Sequence, residues 1–293
     1  MKQVTIVGLG MIGASMGLAL RQLKSPPRVV GNDERYDAAV QAEKLKAVDR
    51  VEHDPLDAVA GSDLVIVATP VGTIPAVLET IAGSLSDGCI VTDTGSTKRE
   101  ILRRAGEILP PGVAFVGGHP MTGKATAGVD QPDAAIFRGA VYCLTPSTGT
   151  PGPAVAAVVE LIRQIGSVPY FLDPAEHDGL VAGISHLPYL LSVALMETLA
   201  SQPSWREMSA LAAGGFETVT RLSGQNPRMY GDILVSNTDN VVRHLDRLLA
   251  SLGALRQRLL DGDAAELLRE LEKVQRQRVG WEEQRRREAA ERR

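Results

Sequence analysis

The 293-residue chain has only two cysteines and no excess of basic side chains, and each scarcity argues against a class of protein or site. Cys89 and Cys143, the only cysteines, both lie in apolar runs of strand length, so we expect buried thiols rather than a disulfide or a metal pair. A formal net charge of −4 argues against a protein that coats nucleic acid or an anionic membrane. A small molecule is therefore the expected partner.

Long hydrophobic runs are also missing. Gly, Pro or His interrupts each apolar run before it reaches the length of a bilayer span, so no membrane partner is expected. The first apparent strand begins at Gln3, which leaves no room for a signal peptide. Near the end of the chain, glutamates interleave with arginines, which indicates a solvated helix or frayed tail rather than a nucleic-acid site. These features predict a cytoplasmic protein.

The first half of the chain alternates short apolar runs with helical patterns. The runs are VTIVGLG, RVVGND, DLVIVATP, CIVTDTG, AFVGGHP and AVYCLTP. Such alternation is typical of βαβ units and a parallel sheet. From about Asp173, after the boundary segment FLDPAEHD begins, only helical spacing remains. We predict an α/β domain over residues 1–172 and an all-α domain over residues 173–293, which is expected to serve dimerisation.

The first strand runs directly into GLGMIG at residues 8–13, and a helical pattern follows. In a dinucleotide-binding turn, the first glycine permits the tight turn, the second lets backbone approach a pyrophosphate, and the third lets helix pack against sheet. Amides at the helix start then face the diphosphate. The cofactor contacts assigned here are Gly8, Gly10, Met11, Ile12 and Gly13. The first domain is thus predicted to be a Rossmann-type dinucleotide-binding domain.

Other cofactor contacts follow later strands. Asp33 ends the second strand, where a carboxylate accepts hydrogen bonds from the adenosine ribose and repels a 2′-phosphate. NAD is therefore favoured over NADP, although Arg35 close by weakens this preference. Thr69 and Pro70 end the strand DLVIVATP, at an edge of the sheet that passes near the nicotinamide side of the cleft.

FVGGHPMTG ends another strand at the same edge, so His119 is expected beside the ligand crevice. The two glycines before it allow close backbone approach, and Pro120 stiffens the turn that aims the ring. The alternative is a loop histidine without function. Ser96 and Lys98 follow the strand CIVTDTG. Ser96 is interpreted either as part of the site or as a cap of the helix REILRRAGEIL.

Taken in order, GLGMIGAS, VTDTGSTK, GGHPMTG, EHDGLVAGISHLP and GGFETVTRLSGQNP resemble the prephenate and arogenate dehydrogenases of tyrosine biosynthesis, over nearly the whole chain. The resemblance implies a homodimer in which hydride passes from a cyclohexadienol to the nicotinamide, carbon dioxide leaves and the ring becomes aromatic. It implies that neutral His119 accepts a hydrogen bond from the substrate hydroxyl, that Ser96 holds the same hydroxyl, and that Arg221 grips the ring carboxylate. Further substrate contacts implied are His186, Gly214, Tyr189 and Lys124.

Two features depart from the family pattern. Tyr189 stands where several prephenate-preferring relatives have a second histidine, and Lys124-Ala125-Thr126 stands where many have Thr-Glu-Lys. The choice between prephenate and arogenate therefore stays open. Prephenate is favoured narrowly, because a tyrosine hydroxyl or Lys124 suits a keto acid and discourages an ammonium group.

The segment ISHLPYLL carries a proline within a helical pattern. Pro188 cannot donate to the carbonyl of Ile184, so we expect a bend near His186. His186 is interpreted either as a satisfied core histidine or as part of the site. Asp178, beside His177, is expected to complement the dipole of the helix that begins there. The family resemblance implies an alternative for both residues, a role in a polar network at the cleft mouth.

Two other functions fit parts of the sequence. A hydroxyacid or imine reductase with a helical dimer domain would carry a catalytic lysine on the first long helix after the boundary, where His186 stands instead. A regulatory protein that binds NAD without turnover would lack a working base, yet Ser96 and His119 are both present. The motifs assign no metal ion.

Overall fold

A computed structural model describes residues 1–122 and 131–291 of the chain. The strands are β1 (Gln3–Val7), β2 (Arg28–Asn32), β3 (Arg50–Val51), β4 (Leu64–Val67), β5 (Ile90–Asp93), β6 (Ala114–Pro120), β7 (Val141–Pro146) and β8 (Val168–Phe171). The helices are α1 (Met11–Arg21), α2 (Tyr36–Lys44), α3 (Pro55–Val59), α4 (Ile74–Ile81), α5 (Arg99–Ile108), α6 (Gly152–Gln164), α7 (Pro174–Val181), α8 (Leu187–Ala200), α9 (Trp205–Leu211), α10 (Gly214–Thr220), α11 (Pro227–Ser236), α12 (Thr238–Asp261) and α13 (Ala264–Glu291). Residues 1–238 and residues 239–293 form two compact units.

The strands form one sheet in the order β3-β2-β1-β4-β5-β6-β7-β8. Pairing is parallel from β3 through β6, as the βαβ pattern predicts. The expectation of a wholly parallel sheet is wrong at AVYCLTP, because β7 runs antiparallel to β6. A parallel return needs a long crossover, and the described residues between these strands contain only the short 3₁₀ turn Ala134–Phe137. β8, which was not among the predicted strands, pairs with β7 in parallel.

Helices cover both faces of the sheet, so the central strands are buried on both sides. In β4, Leu64 and Ile66 belong to one core cluster, while Val65 and Val67 belong to the other, as the alternation of side chains along a strand requires. Cys89 and Cys143 are free and buried, as predicted. After residue 173 only helices occur among the described residues, which confirms a Rossmann-type domain followed by an all-α region.

The irregularity predicted around Pro188 is a π turn, Ala182–His186, that joins α7 to α8. The amide of Leu187 donates to the carbonyl of Ala182, so the extra residue shifts the hydrogen-bond ladder just before the proline. The joined stretch Pro174–Ala200 has 27 residues and is long and apolar enough to cross a membrane by length and composition. The expectation that every apolar run stops short of a bilayer span is therefore wrong here, because the π turn keeps the helix continuous.

The unit of residues 239–293 contains most of α12 and all of α13. The interleaved tail is helical as far as Glu291, and it is solvated as expected: the Arg278 guanidinium lies 2.7 Å from the Glu282 carboxylate on the helix surface. Arg278 and Arg285 flank the half-exposed ring of Trp281 at 4.5 and 5.0 Å from its centroid.

Candidate active site

The glycine turn between β1 and α1 has one open position and two crowded ones. Gly8 has a φ of +96°, and a Cβ there would lie 2.7 Å from the carbonyl of Ala68. A Cβ on Gly13 would collide with the carbonyl oxygen of Gly8. Gly10 precedes the first turn of α1, where no side chain caps the helix, and a Cβ there would meet nothing within 4 Å. The turn thus leaves open space beside uncapped amides, which is what a diphosphate requires.

Asp33 is tied to this turn. One carboxylate oxygen accepts a hydrogen bond from the Leu9 amide at 2.6 Å, and the other accepts one from the Arg35 amide at 2.8 Å. The Asp33 side chain is 9% exposed, whereas the Arg35 side chain is 61% exposed and its Nε lies 3.9 Å from the carboxylate. The acidic group is thus held beside the glycine turn, with an exposed basic group next to it.

The segment after β4 borders the same edge of the sheet. The Thr69 hydroxyl is buried and has no hydrogen-bond partner among the described residues, and Pro70 beside it is exposed. Helix α11 packs against the following turn so closely that a Cβ on Gly72 would lie 2.9 Å from the Asp232 carboxylate. An unpaired buried hydroxyl at a sheet edge is a place where a ligand can supply the missing partner.

A buried ion pair joins the ends of β5 and β6. The Lys98 ammonium contacts the Asp93 carboxylate and donates to the Gly118 carbonyl at 2.6 Å, and both charged side chains have no exposed surface. Asp93 also accepts hydrogen bonds from the amides of Gly95 (2.8 Å) and Gly118 (3.0 Å). A Cβ on Gly118 would lie 2.6 Å from the carbonyl oxygen of Asp93. The glycine therefore lets β6 approach this ion pair, which places the next residue, His119.

His119 lies at the end of β6 with its Nδ1 2.9 Å from the Nε2 of His177. The two rings meet edge to face, 5.1 Å between centroids. Burial, and then the neighbouring His177, Lys98 and His186, hold the pKa of His119 well below its ordinary value. The imidazole is consequently neutral near pH 7, as a proton acceptor must be.

Asp178 complements the start of α5 and not the start of its own helix. Its carboxylate accepts hydrogen bonds from the backbone amides of Lys98 (2.7 Å) and Arg99 (3.0 Å) and contacts His177 Nδ1 at 2.9 Å. The prediction that it serves the dipole of α7 is wrong, because Asp173 caps that helix through the Ala175 amide. Asp178 lies one turn further along, where its side chain reaches α5.

Ser96 is half-buried between β5 and α5, at the same edge as His119. The alternative that it caps α5 is not supported, because the N-cap position of α5 is Lys98 and makes no side-chain cap bond. The amides at the start of α5, those of Lys98 and Arg99, donate to the Asp178 carboxylate instead.

His186 is fully buried behind this group. Its Nδ1 lies 3.3 Å from Nδ2 of Asn237, which also donates to the Asp178 carbonyl at 2.8 Å. Burial lowers the pKa of His186 to about 4, so this ring is also neutral. The structure therefore supports a satisfied core histidine that lies next to the polar network around His119.

The other substrate contacts implied by the resemblance lie further along the helical region. The buried ring of Tyr189 stacks on that of Tyr230 with 3.7 Å between centroids, and burial raises the pKa of Tyr230 while nearby Arg221 opposes the shift. Arg221 is exposed and follows α10, which begins at the exposed Gly214. Lys124 lies outside the described residues.

Sequence reasoning missed Asp93 and Tyr230 and assigned no site role to Lys98. Asp93 and Lys98 had a signal, since two opposite charges stand five residues apart in VTDTGSTK, directly after an apolar strand. Tyr230 gave none, because its stack with Tyr189 joins residues on two separate helices.

Comparison with known proteins identifies the family. The model of the prephenate dehydrogenase nucleotide-binding domain matches residues 16–170, and that of the prephenate dehydrogenase dimerization domain matches residues 173–273. The chain belongs to the prephenate dehydrogenase family. This dehydrogenase is 33% identical to the prephenate dehydrogenase of Bacillus subtilis (strain 168), over 91% of this chain and 72% of the relative.

Two solved dehydrogenase structures are similar over most of their length. Prephenate dehydrogenase from A. aeolicus, in complex with hydroxyphenyl propionate and NAD+, superposes with a TM-score of 0.88 at 28% identity and covers 96% of this chain and 98% of that one. Synechocystis arogenate dehydrogenase superposes with a TM-score of 0.80 at 29% identity, and the match covers 95% of this chain and 99% of that one. The family membership decides against the reductase and the NAD-sensing regulator. The division at residues 172/173 stays a prediction, because the compact units divide at 238/239.

Proposed function

We propose that the protein oxidatively decarboxylates prephenate to 4-hydroxyphenylpyruvate, with hydride transfer to NAD, in tyrosine biosynthesis. The observation that carries this proposal is His119: a neutral imidazole at the sheet edge that also holds the glycine turn, with Nδ1 engaged by His177. Among the described residues, its Nε2 has no hydrogen-bond partner. That nitrogen is available to accept a proton from a substrate hydroxyl.

The dinucleotide turn fits NAD. Gly10 leaves open space at the uncapped start of α1, where Met11 and Ile12 provide the first helical amides, and the buried Thr69 hydroxyl lacks a partner. NAD, when bound, accepts the hydride from the carbinol carbon of the substrate. We assign the ribose diol to Asp33 and favour NAD over NADP because its carboxylate repels a 2′-phosphate. Arg35 works against this preference, since its exposed guanidinium lies beside Asp33.

In the reaction, His119 Nε2 takes the hydroxyl proton while Ser96 holds the hydroxyl from the other side. The protein's main task is alignment and proton acceptance, because loss of carbon dioxide yields an aromatic ring. Arg221 binds the ring carboxylate, since a guanidinium grips a carboxylate with two hydrogen bonds. We place the substrate's pyruvyl arm near Tyr189 and Gly214, with Lys124 as a further contact.

Arogenate is the second candidate substrate, supported by the similarity to Synechocystis arogenate dehydrogenase. We favour prephenate because the Tyr189 hydroxyl suits a keto acid. His186 supports the site from behind, through Asn237 and the backbone of Asp178, and we give it no direct substrate contact.

We further propose a cytoplasmic homodimer that binds neither nucleic acid nor a membrane. The stretch Pro174–Ala200 presents the large apolar side chains of Leu180, Ile184 and Leu191 to solvent in the single chain. It lies within the segment that matches a dimerization domain. Burial of this face against a second copy accounts for its apolar surface without lipid.

The test is to mix the protein with NAD and either prephenate or arogenate and record the absorbance of reduced nicotinamide. We expect turnover with prephenate to exceed that with arogenate; no signal with either would remove the proposed function. His119→Asn should lose on the order of 10²–10⁴ in kcat, together with the acid limb of the pH profile. Arg221→Leu should mainly raise KM, whereas Arg163→Leu, which removes an exposed arginine at the end of α6, is the charge-matched control.

A further inference from the structure

A row of three side chains ends at the base that the proposed function uses. His119 Nδ1 lies 2.9 Å from His177 Nε2, and His177 Nδ1 lies 2.9 Å from a carboxylate oxygen of Asp178. His177 and Asp178 have at most 1% of their surface exposed. We propose that His177 and Asp178 are positioning residues that hold His119 in the tautomer with its lone pair on Nε2. This inference rests on the proposed role of His119 as the proton acceptor.

The direction of the row is set at the Asp178 end. A carboxylate can only accept hydrogen bonds, and that of Asp178 accepts them from the backbone amides of Lys98 and Arg99 at the start of α5. Those two amides are fixed donors, and the positive end of the helix dipole favours the negative charge. His177 must therefore present a protonated Nδ1 to Asp178.

The next step follows from the chemistry of neutral imidazole, which has one protonated nitrogen and one lone pair. With its proton on Nδ1, His177 offers a lone pair on Nε2. His119 must then donate from Nδ1, which leaves the lone pair of His119 on Nε2. The Asp178 carboxylate, held at the start of α5, thus determines through His177 which nitrogen of His119 can accept the substrate proton.

The opposite state shows why the row matters. If His177 gains a proton, its Nε2 donates, His119 must accept at Nδ1, and the His119 proton moves to Nε2, where it blocks proton acceptance. Four charged or titratable groups surround the pair: Asp178 from α7, Asp93 at the end of β5, Lys98 at the start of α5 and His186 from the π turn. Cys143 on β7 lies opposite His119 in the antiparallel pairing of β6 with β7.

The experiment uses full-length enzyme labelled with ¹⁵N-histidine, whose five histidines give a spectrum that His119→Asn can assign. At pH 8 the wild-type His119 signals should report a protonated Nδ1 and a lone pair on Nε2. His177→Leu, which removes the acceptor, should move His119 to the Nε2–H form and lower kcat on the order of 10²–10⁴ with little change in KM. His177→Gln retains an amide oxygen that can accept from Nδ1, so it should restore the wild-type tautomer and most of kcat.

The inference is overturned if wild-type His119 is found in the Nε2–H form, or if His177→Leu leaves the tautomer and kcat unchanged. The wild-type spectrum decides the matter even if His177→Leu does not fold. The spectra need no substrate, so they are independent of the proposed function, whose own failure would appear as a wild-type enzyme inactive with both prephenate and arogenate.

Discussion

The buried ion pair beneath His119 makes a quantitative prediction. Lys98→Met keeps most of the side-chain volume but removes the cation from Asp93 and the donor from the Gly118 carbonyl. The Asp93 carboxylate then keeps only the amides of Gly95 and Gly118, inside a site with no exposed surface. Breaking one side of a buried ion pair costs about 3–5 kcal/mol, a large part of the roughly 5–15 kcal/mol that stabilises a typical protein.

The assay is urea unfolding followed by circular dichroism at one fixed protein concentration, because a dimer's stability depends on concentration. Arg104→Met is the control: its guanidinium pairs with Glu79 and Glu107 but is 30% exposed, so the loss should be below about 1 kcal/mol. Adding Asp93→Asn to Lys98→Met should recover part of the loss, since the unpaired charge is gone. A Lys98→Met enzyme as stable as the Arg104→Met enzyme would refute the reasoning.

Three further predictions concern other parts of the site. Because burial lowers the pKa of His186 to about 4, the unfolded chain binds a proton there between pH 6.5 and 4 that the folded chain does not, so the free energy of unfolding should fall by up to about 3 kcal/mol as pH drops through this window; urea titrations of the wild type and His186→Gln should differ in that slope. Asp33→Ser should lower the NAD/NADP ratio of kcat/KM at least about tenfold, and an unchanged ratio would mean that another residue reads the ribose. Gly118→Ala should cost about 1–3 kcal/mol in a urea titration because its Cβ meets the Asp93 carbonyl, whereas Gly106→Ala on α5 meets nothing and should be neutral or slightly stabilising.

The sequence predicted the parts of the fold that depend on local pattern. The glycine spacing after the first strand was sufficient to predict the dinucleotide turn, and the helical spacing of apolar residues was sufficient to predict the helical second half. Both patterns lie within a few neighbouring residues of the chain. The direction of β7 was missed, since it depends on the length of the connection and not on the strand itself. The continuity of Pro174–Ala200 was also missed, because a π turn accommodates a proline that would ordinarily end a helix.

The site was predictable only in part for a similar reason. His119 could be placed because it follows directly from a strand end. The partner of Asp178 could not be predicted, because its carboxylate accepts a hydrogen bond from a backbone amide about eighty positions earlier in the chain. Only tertiary packing brings these two groups together. The ordinary expectation that an acidic residue serves its own helix is a rule of local sequence, and here the fold uses the same carboxylate for a different helix.

The contact between Asp178 and the first turn of α5 has a consequence for engineering within the family. The segments that match the two family models, residues 16–170 and 173–273, each contribute groups to one hydrogen-bonded row, so neither segment carries a complete base alone. A chimera that joins the nucleotide-binding half of one relative to the helical half of another must therefore preserve the contacts between these two segments as well as the cofactor and substrate residues. Without them, His119 would be present but would carry its proton on the wrong nitrogen.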